Sequence, residues 1–207
     1  MTITLWQKHA MLVAWGGIVL ASLGGMAVYQ STPGAVAADV DANALRRVAA
    51  HHDAATNSSK ATHRLLVFAH PRCPCTEATI AELSRLVTWC AGRLDAEVYF
   101  YQPSGEPDAW SKTSLWEAAD RIDGVRVRVD RDGTFARECD VSTSGQVLLI
   151  NTEGHLLFSG GITPSRSHHG DNDGSAAIVA HITRGNGDAS TPVFGCEIFN
   201  VTEGQNQ

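Results

Sequence analysis

From Ala10 to Tyr29 the chain reads 10-AMLVAWGGIVLASLGGMAVY-29, without a single charged residue. As a helix this run is long enough to cross a hydrocarbon core of about 30 Å. Lys8 lies just before it, and no Lys or Arg follows until Arg46. The positive-inside bias then leaves the N-terminus in the cytoplasm and carries the remainder to the periplasmic or other extracytoplasmic side. Trp6 and Tyr29 flank the run, as interfacial aromatic residues do. A cleaved signal peptide is the alternative, because 35-AVAAD-39 offers an Ala-x-Ala site. The apolar run is longer than a usual signal core, which favours a retained single-pass anchor in the cell membrane. Either way the rest of the chain is exported.

Export decides how the cysteines are read. Cys73, Cys75, Cys90, Cys139 and Cys196 make an odd set of five, so internal pairing leaves at least one thiol free. In an oxidising compartment thiols tend to be paired or catalytic. Lys and Arg number 16 against 22 Asp and Glu, for a net charge of -6. With no basic, aromatic-laced stripe, this balance argues against a nucleic-acid partner.

The sequence divides into an anchor over 1–30, a polar tether over 31–61, a folded domain over 62–185 and a tail over 186–207. Within the tether, 41-DANALRRVAAHHDA-54 is compatible with a short helix carrying Leu45 and Val48 on one side, and His51 and His52 read as solvated. The domain begins with a buried strand, 63-HRLLVFAH-70, followed by a helix over 76–92 whose Ile80, Leu83, Val87 and Cys90 recur at helical spacing. A strand over 95–103, a helix over 111–122 and an alternating strand over 125–130 follow. A short helix over 134–140, a hairpin over 146–161 and a last helix over 175–184 complete the pattern. This order predicts an α/β domain with a mixed sheet and helices on both faces.

With a cysteine pair between the first strand and the first helix, the domain resembles the thioredoxin-like superfamily over about Thr62 to Gly185. Within it, the chain resembles the RedB-type group of membrane-anchored thioredoxin-like proteins. The segments that carry the resemblance are 65-LLVFAHPRCPCTEATIAEL-83, 143-TSGQVLLINTEGHLLFSGGITPSR-166 and 169-HGDN-172. The resemblance implies a thioredoxin-like fold, export and a thiol site, with protein thiols or a redox protein as partner and no required cofactor. Two departures stand out. The usual Cys-x-x-Cys spacing is Cys-x-Cys here, and Ser144-Gly145 occupies the place of the superfamily's cis-proline, which lines the substrate groove with Pro74 at the turn.

The stretch 70-HPRCPC-75 admits three readings. In the redox reading Cys73 is the attacking thiolate, stabilised just outside a helix N-terminus. Pro74 suits the first helical position, Arg72 adds positive charge, His70 serves as proton acceptor or extra charge, and Cys75 resolves the mixed disulfide. One intervening proline predicts a strained, easily reduced Cys73–Cys75 bridge. In the metal reading the same sulfurs, joined by His168 or His169, hold Cu(I) or Zn(II) for delivery. In the third, the turn is structural and the domain is a non-enzymatic binding module. A peroxide-reducing enzyme is a minor possibility, because His70 stands where such proteins carry Thr.

Cys139 and Cys196 are a candidate disulfide that would staple the tail to the domain, worth about 2–4 kcal/mol; in the alternative reading either one relays electrons to the Cys73–Cys75 site. Cys90 reads as a buried free thiol. Asp173 or Ser175 suits the cap of the last helix. Trp110 and Trp116 read as core or lid residues.

Overall fold

The structure is a computed structural model describing residues 4–37, 40–47 and 61–199. It divides into two compact units, Met1–Thr32 and Pro33–Gln207.

The first unit is helix α1, Leu5–Ser31. Gln7 Oε1 accepts the Thr4 backbone N–H at 2.8 Å and closes the first turn. No residue of α1 is buried, and Leu12, Val13, Ile18 and Leu20 all face outward. A helix apolar all round needs an apolar surrounding, and this one is long and apolar enough to cross a membrane.

The second unit is built on strands β1 (His63–Ala69), β2 (Leu94–Gln102), β3 (Val125–Arg131), β4 (Gln146–Asn151) and β5 (Leu156–Gly161), in the order β3-β2-β1-β4-β5. β1, β2 and β3 run parallel, whereas β4 is antiparallel to both β1 and β5. The helices are α2 over residues 42–47, α3 (Pro74–Trp89), α4 (Ser114–Asp120), α5 (Thr134–Glu138) and α6 (Asp173–Arg184). This is the mixed sheet with flanking helices expected from the sequence.

β1 is buried throughout from Arg64 to Ala69, and its alternating side chains feed two cores. Leu65, Val67 and Ala69 share a core with Leu83 and Leu86 of α3, Cys90 at its C-terminal end, and Ile178 and Ile182 of α6. Leu66 and Phe68 face Leu148, Ala136 and Cys139 on the other side. Helices therefore cover both faces, and a central β1 delivers its C-terminal end, with the cysteine turn, to one edge of the domain.

Two boundaries differ from the sequence reading. The segment read as a tether belongs partly to the folded unit, since Ala44 and Leu45 of α2 are each 1% exposed in the second core. The Gly34 N–H also bonds the Val193 carbonyl at 2.8 Å. The reason is burial: a short Ala-Leu pair in a polar segment covers the sheet face that α5 leaves open. Val48, His51 and His52 lie outside the described residues. The tail is likewise part of the fold through residue 199, with Val193 and Ile198 fully buried.

Candidate active site: three sulfurs at the end of β1

β1 ends at Ala69, and the next residues form a tight turn. The Cys73 N–H donates to the His70 carbonyl at 3.2 Å and the Thr76 N–H to the Cys73 carbonyl at 3.0 Å. Cys73 is the N-cap of α3 in extended conformation, Pro74 occupies the first helical position, and Cys75 follows within the first turn. Pro74 lacks an N–H that would be unsatisfied there anyway, so the sequence starts the helix at this point. Thr113 Oγ1 donates to the Pro71 carbonyl at 3.0 Å and holds the turn from outside.

Ser144 fixes the turn from the sheet side. Its Oγ accepts the His70 N–H at 2.9 Å and bonds Thr76 Oγ1 at 3.0 Å. Gly145 has φ 90, a conformation that favours glycine, and its N–H reaches the Phe68 carbonyl at 2.7 Å. Among the described residues no peptide bond is cis. A serine hydroxyl and a left-handed glycine thus tie the pre-hairpin segment to the cysteine turn.

That segment is occupied. The Ser144 N–H donates to the Cys196 carbonyl and the Ile198 N–H to the Ser142 carbonyl, each at 2.8 Å. Thr143 and Glu197 form an antiparallel bridge. The tail thus lies across the site as a short strand, and Arg166 donates a hydrogen bond to the Gly195 carbonyl. This strand delivers a third sulfur. Cys73 Sγ and Cys196 Sγ are 2.8 Å apart, and the Sγ atoms of Cys73, Cys75 and Cys196 lie within 4.8 Å of one another. All five cysteines are free. The Cys139–Cys196 bridge expected from the sequence is therefore replaced by proximity of Cys196 to Cys73. The cause is strand pairing, which turns Cys196 toward the turn while Cys139 is sealed in the second core at 0% exposure.

The three thiols differ in access and in acidity. Cys73 and Cys75 are 2% and 4% exposed, whereas Cys196 is half-buried. Hydrogen bonds from the thiols of Cys196 and Cys73 draw the Cys75 thiol well below the ordinary range, against the opposing effect of burial. The same contacts push Cys196 upward. The opposite directions favour negative charge on Cys75 and a retained proton on Cys196. Ser167 Oγ, 3.5 Å from Cys75 Sγ, closes one side.

The other expected site residues have different roles. His70 Nδ1 accepts the Arg72 N–H at 3.1 Å, so that nitrogen is a turn acceptor. Burial, then the Arg72 charge, lower its pKa, so the ring does not supply positive charge at neutral pH. The Arg72 guanidinium stacks 4.7 Å from the centroid of the Trp110 ring. His168 and His169 are exposed, and His168 Nδ1 bonds the Arg166 carbonyl at 2.7 Å. Among the described residues, no histidine or carboxylate joins the three sulfurs. The loop carrying the two histidines is instead anchored by Glu82, 1% exposed, whose Oε1 accepts the Gly170 N–H at 2.7 Å. Asn172, rather than Asp173 or Ser175, caps α6, accepting the Ser175 N–H at 2.7 Å.

Sequence reasoning missed Ser167 and the hydrogen-bonding role of the Ser144 hydroxyl, and it placed Cys196 at the site only as an alternative to the structural disulfide. The available signals were the odd cysteine count and the apolar island 193-VFGCEIF-199 in an otherwise polar tail.

No protein-family profile matches the chain, and no curated protein does. Solved structures do resemble it. An uncharacterized conserved protein from Geobacillus kaustophilus aligns with TM-score 0.53 at 16% identity, covering 66% of this chain and 76% of that one. A hypothetical protein from Sinorhizobium meliloti 1021 aligns with TM-score 0.53 at 19% identity, covering 81% and 94%. A secreted Mycobacterium tuberculosis disulfide oxidoreductase homologous to E. coli DsbE aligns with TM-score 0.38 at 16% identity, covering 46% and 66%. At these identities the first two likenesses are of fold.

Proposed function

We propose that this chain is a membrane-anchored thiol–disulfide oxidoreductase or relay of the RedB type, acting on protein thiols outside the cytoplasmic membrane. The observation that carries this reading is the 2.8 Å approach of Cys73 Sγ to Cys196 Sγ. Two sulfurs so close are poised to bond at the usual length of about 2.05 Å. They meet at the N-terminus of α3, where the N–H groups and the helix dipole favour a thiolate.

The exchanging bond in this reading is Cys73–Cys196. A Cys73–Cys75 bridge would have to close around Pro74, whose fixed φ restricts the backbone. Cys196 arrives on a separate strand and is free of that constraint. Because it is the half-buried member of the three, Cys196 meets the partner. Its thiol gives its proton to Cys75, the member of the cluster held as thiolate, as its sulfur attacks one sulfur of a partner disulfide, forming a mixed disulfide and releasing the partner's other sulfur as a thiolate that takes up a proton. Cys73 then attacks Cys196, giving the Cys73–Cys196 disulfide and a second partner thiol. The partner is reduced by two electrons and this chain is oxidised by two; the reverse sequence oxidises a partner dithiol.

The test is to treat the reduced full chain, in detergent, with glutathione disulfide, alkylate it and digest it without reduction. A peptide linked through Cys73 and Cys196 is expected, and it should vanish in Cys73→Ser. A site that stays reduced, or a Cys139–Cys196 linkage, overturns the reading.

A further inference from the structure

We infer that Cys73, Cys75 and Cys196, when reduced, form a three-sulfur binding site for Cu(I). This goes beyond electron exchange, since it concerns what the dithiol state holds.

The geometry and the chemistry of the donors point to the ion. The three Sγ atoms lie within 4.8 Å of one another. A metal about 2.3 Å from each of three sulfurs in one plane requires sulfurs about 4 Å apart. The cluster meets that spacing once the Cys73–Cys196 pair, at 2.8 Å, opens by about 1 Å. Two of the donors are preset: Cys73 at the N-cap of α3 and Cys75 one residue beyond Pro74. The third is set by the tail strand through the Ser144 N–H to Cys196 carbonyl bond.

The donor count selects among metals. Zn(II) in a structural site takes four ligands, and among the described residues no histidine or carboxylate adds a fourth. Thiolate donors select soft ions, of which Cu(I) is the physiological case. Burial of Cys73 and Cys75 keeps water from completing a larger coordination shell. The three thiolates and one Cu(I) leave net negative charge, which the N-terminus of α3 offsets. Arg166, hydrogen-bonded to the Gly195 carbonyl beside Cys196, offsets more of it. Loading displaces thiol protons to solvent and changes no oxidation state; oxidation to the Cys73–Cys196 disulfide by a partner disulfide, itself reduced to two thiols, removes two donors and releases the ion.

The experiment is anaerobic titration of the reduced full chain, in detergent, with Cu(I) against a chromophoric Cu(I) chelator. X-ray absorption on the loaded protein gives the donor set. One Cu(I) per chain is expected, bound through three sulfurs and no nitrogen. Cys196→Ser should weaken binding by more than the roughly 10–100-fold typical of losing an outer-shell partner, whereas the double variant His168→Ala/His169→Ala should bind as the parent does. A nitrogen donor, two-sulfur coordination, or unchanged affinity in Cys196→Ser overturns the inference. Because absorption is read on the parent chain, a poorly folding variant leaves the test intact. A chain that forms the Cys73–Cys196 disulfide but binds no Cu(I) loses this inference alone. One that binds Cu(I) but never forms the disulfide loses only the redox reading.

Discussion

The backbone N–H of Ser144 donates to the carbonyl of Cys196 across 2.8 Å, and this bond helps to place a tail sulfur beside the cysteine turn. The Ser142–Ser144 edge is thereby covered by the protein's own strand, with Gly195 packed against Ser144. A Cβ built on Gly195 would fall well inside contact distance of the Ser144 carbonyl oxygen. The tail can approach this closely only with glycine before the cysteine.

Gly195→Ala should therefore lift the strand. Overpacking of this kind costs about 1–3 kcal/mol, and the relief available is to move Cys196 away. The alkylation rate of Cys196 in the folded, reduced protein is expected to rise about tenfold or more, corresponding to at least about 1.4 kcal/mol of easier opening. An unchanged rate, read by peptide mass spectrometry, would show that the strand does not govern access.

Ser144→Ala tests the other half of the same device. Ser144 is fully buried, and removing its Oγ leaves the His70 N–H without its acceptor. A stranded buried donor costs about 1–3 kcal/mol. Faster hydrogen exchange is expected at His70 and Cys73, while the β4–β5 hairpin keeps its protection. Uniform loss across the sheet would instead mean that Ser144 supports the whole domain.

Much of this was legible locally. The run 65-LLVFA-69 and the spacing of Ile80, Leu83 and Val87 specify a central strand and an amphipathic helix without outside help. The cysteine turn between them followed directly. Cys196 did not, because it lies 123 residues from Cys73 along the chain. Its position depends on a tail strand that a two-residue bridge and three backbone bonds to 34, 142 and 144 hold in place. Leu45 was hidden for a similar reason: a lone apolar pair in a polar segment has no period, and only the uncovered sheet face makes it core. His168 and His169 looked like ligands by composition, but the Glu82 carboxylate pins their loop and neither histidine joins the sulfurs.

Cys90 and Cys139 should be inert in the native protein. Burial raises the Cys90 thiol, against the nearby Arg93 charge. Burial, followed by the charges of Glu138, Asp130 and Asp41, pushes Cys139 up to about 12. Thiolate is the reactive form, so neither residue is expected to take up iodoacetamide at about pH 8 until denaturant is added. Native labelling of either one, before denaturant is added, would contradict the buried assignment.

Glu97 gives the fold a pH dependence of its own. It is 3% exposed on β2, where Tyr99 donates to it at 2.6 Å, Arg128 at 2.8 Å and Arg126 at 3.0 Å. Burial alone would raise its pKa, but the Tyr99 hydroxyl and the two guanidinium groups outweigh it and hold the carboxyl at about 2. An unfolded glutamate titrates near 4.3. The folded value is the lower one, so the contribution is complete above the unfolded pKa and is lost as the pH falls from there toward about 2. Both arginines are partly open to solvent, at 34% and 51% exposure, and their screening discounts the interaction. Glu97→Gln is accordingly expected to cost about 1–2 kcal/mol at neutral pH. Urea unfolding of parent and variant at descending pH should show that gap closing below about 4.3. A gap that stays constant down to about pH 2.5 would mean that the carboxylate charge contributes nothing and only the shape of the side chain matters.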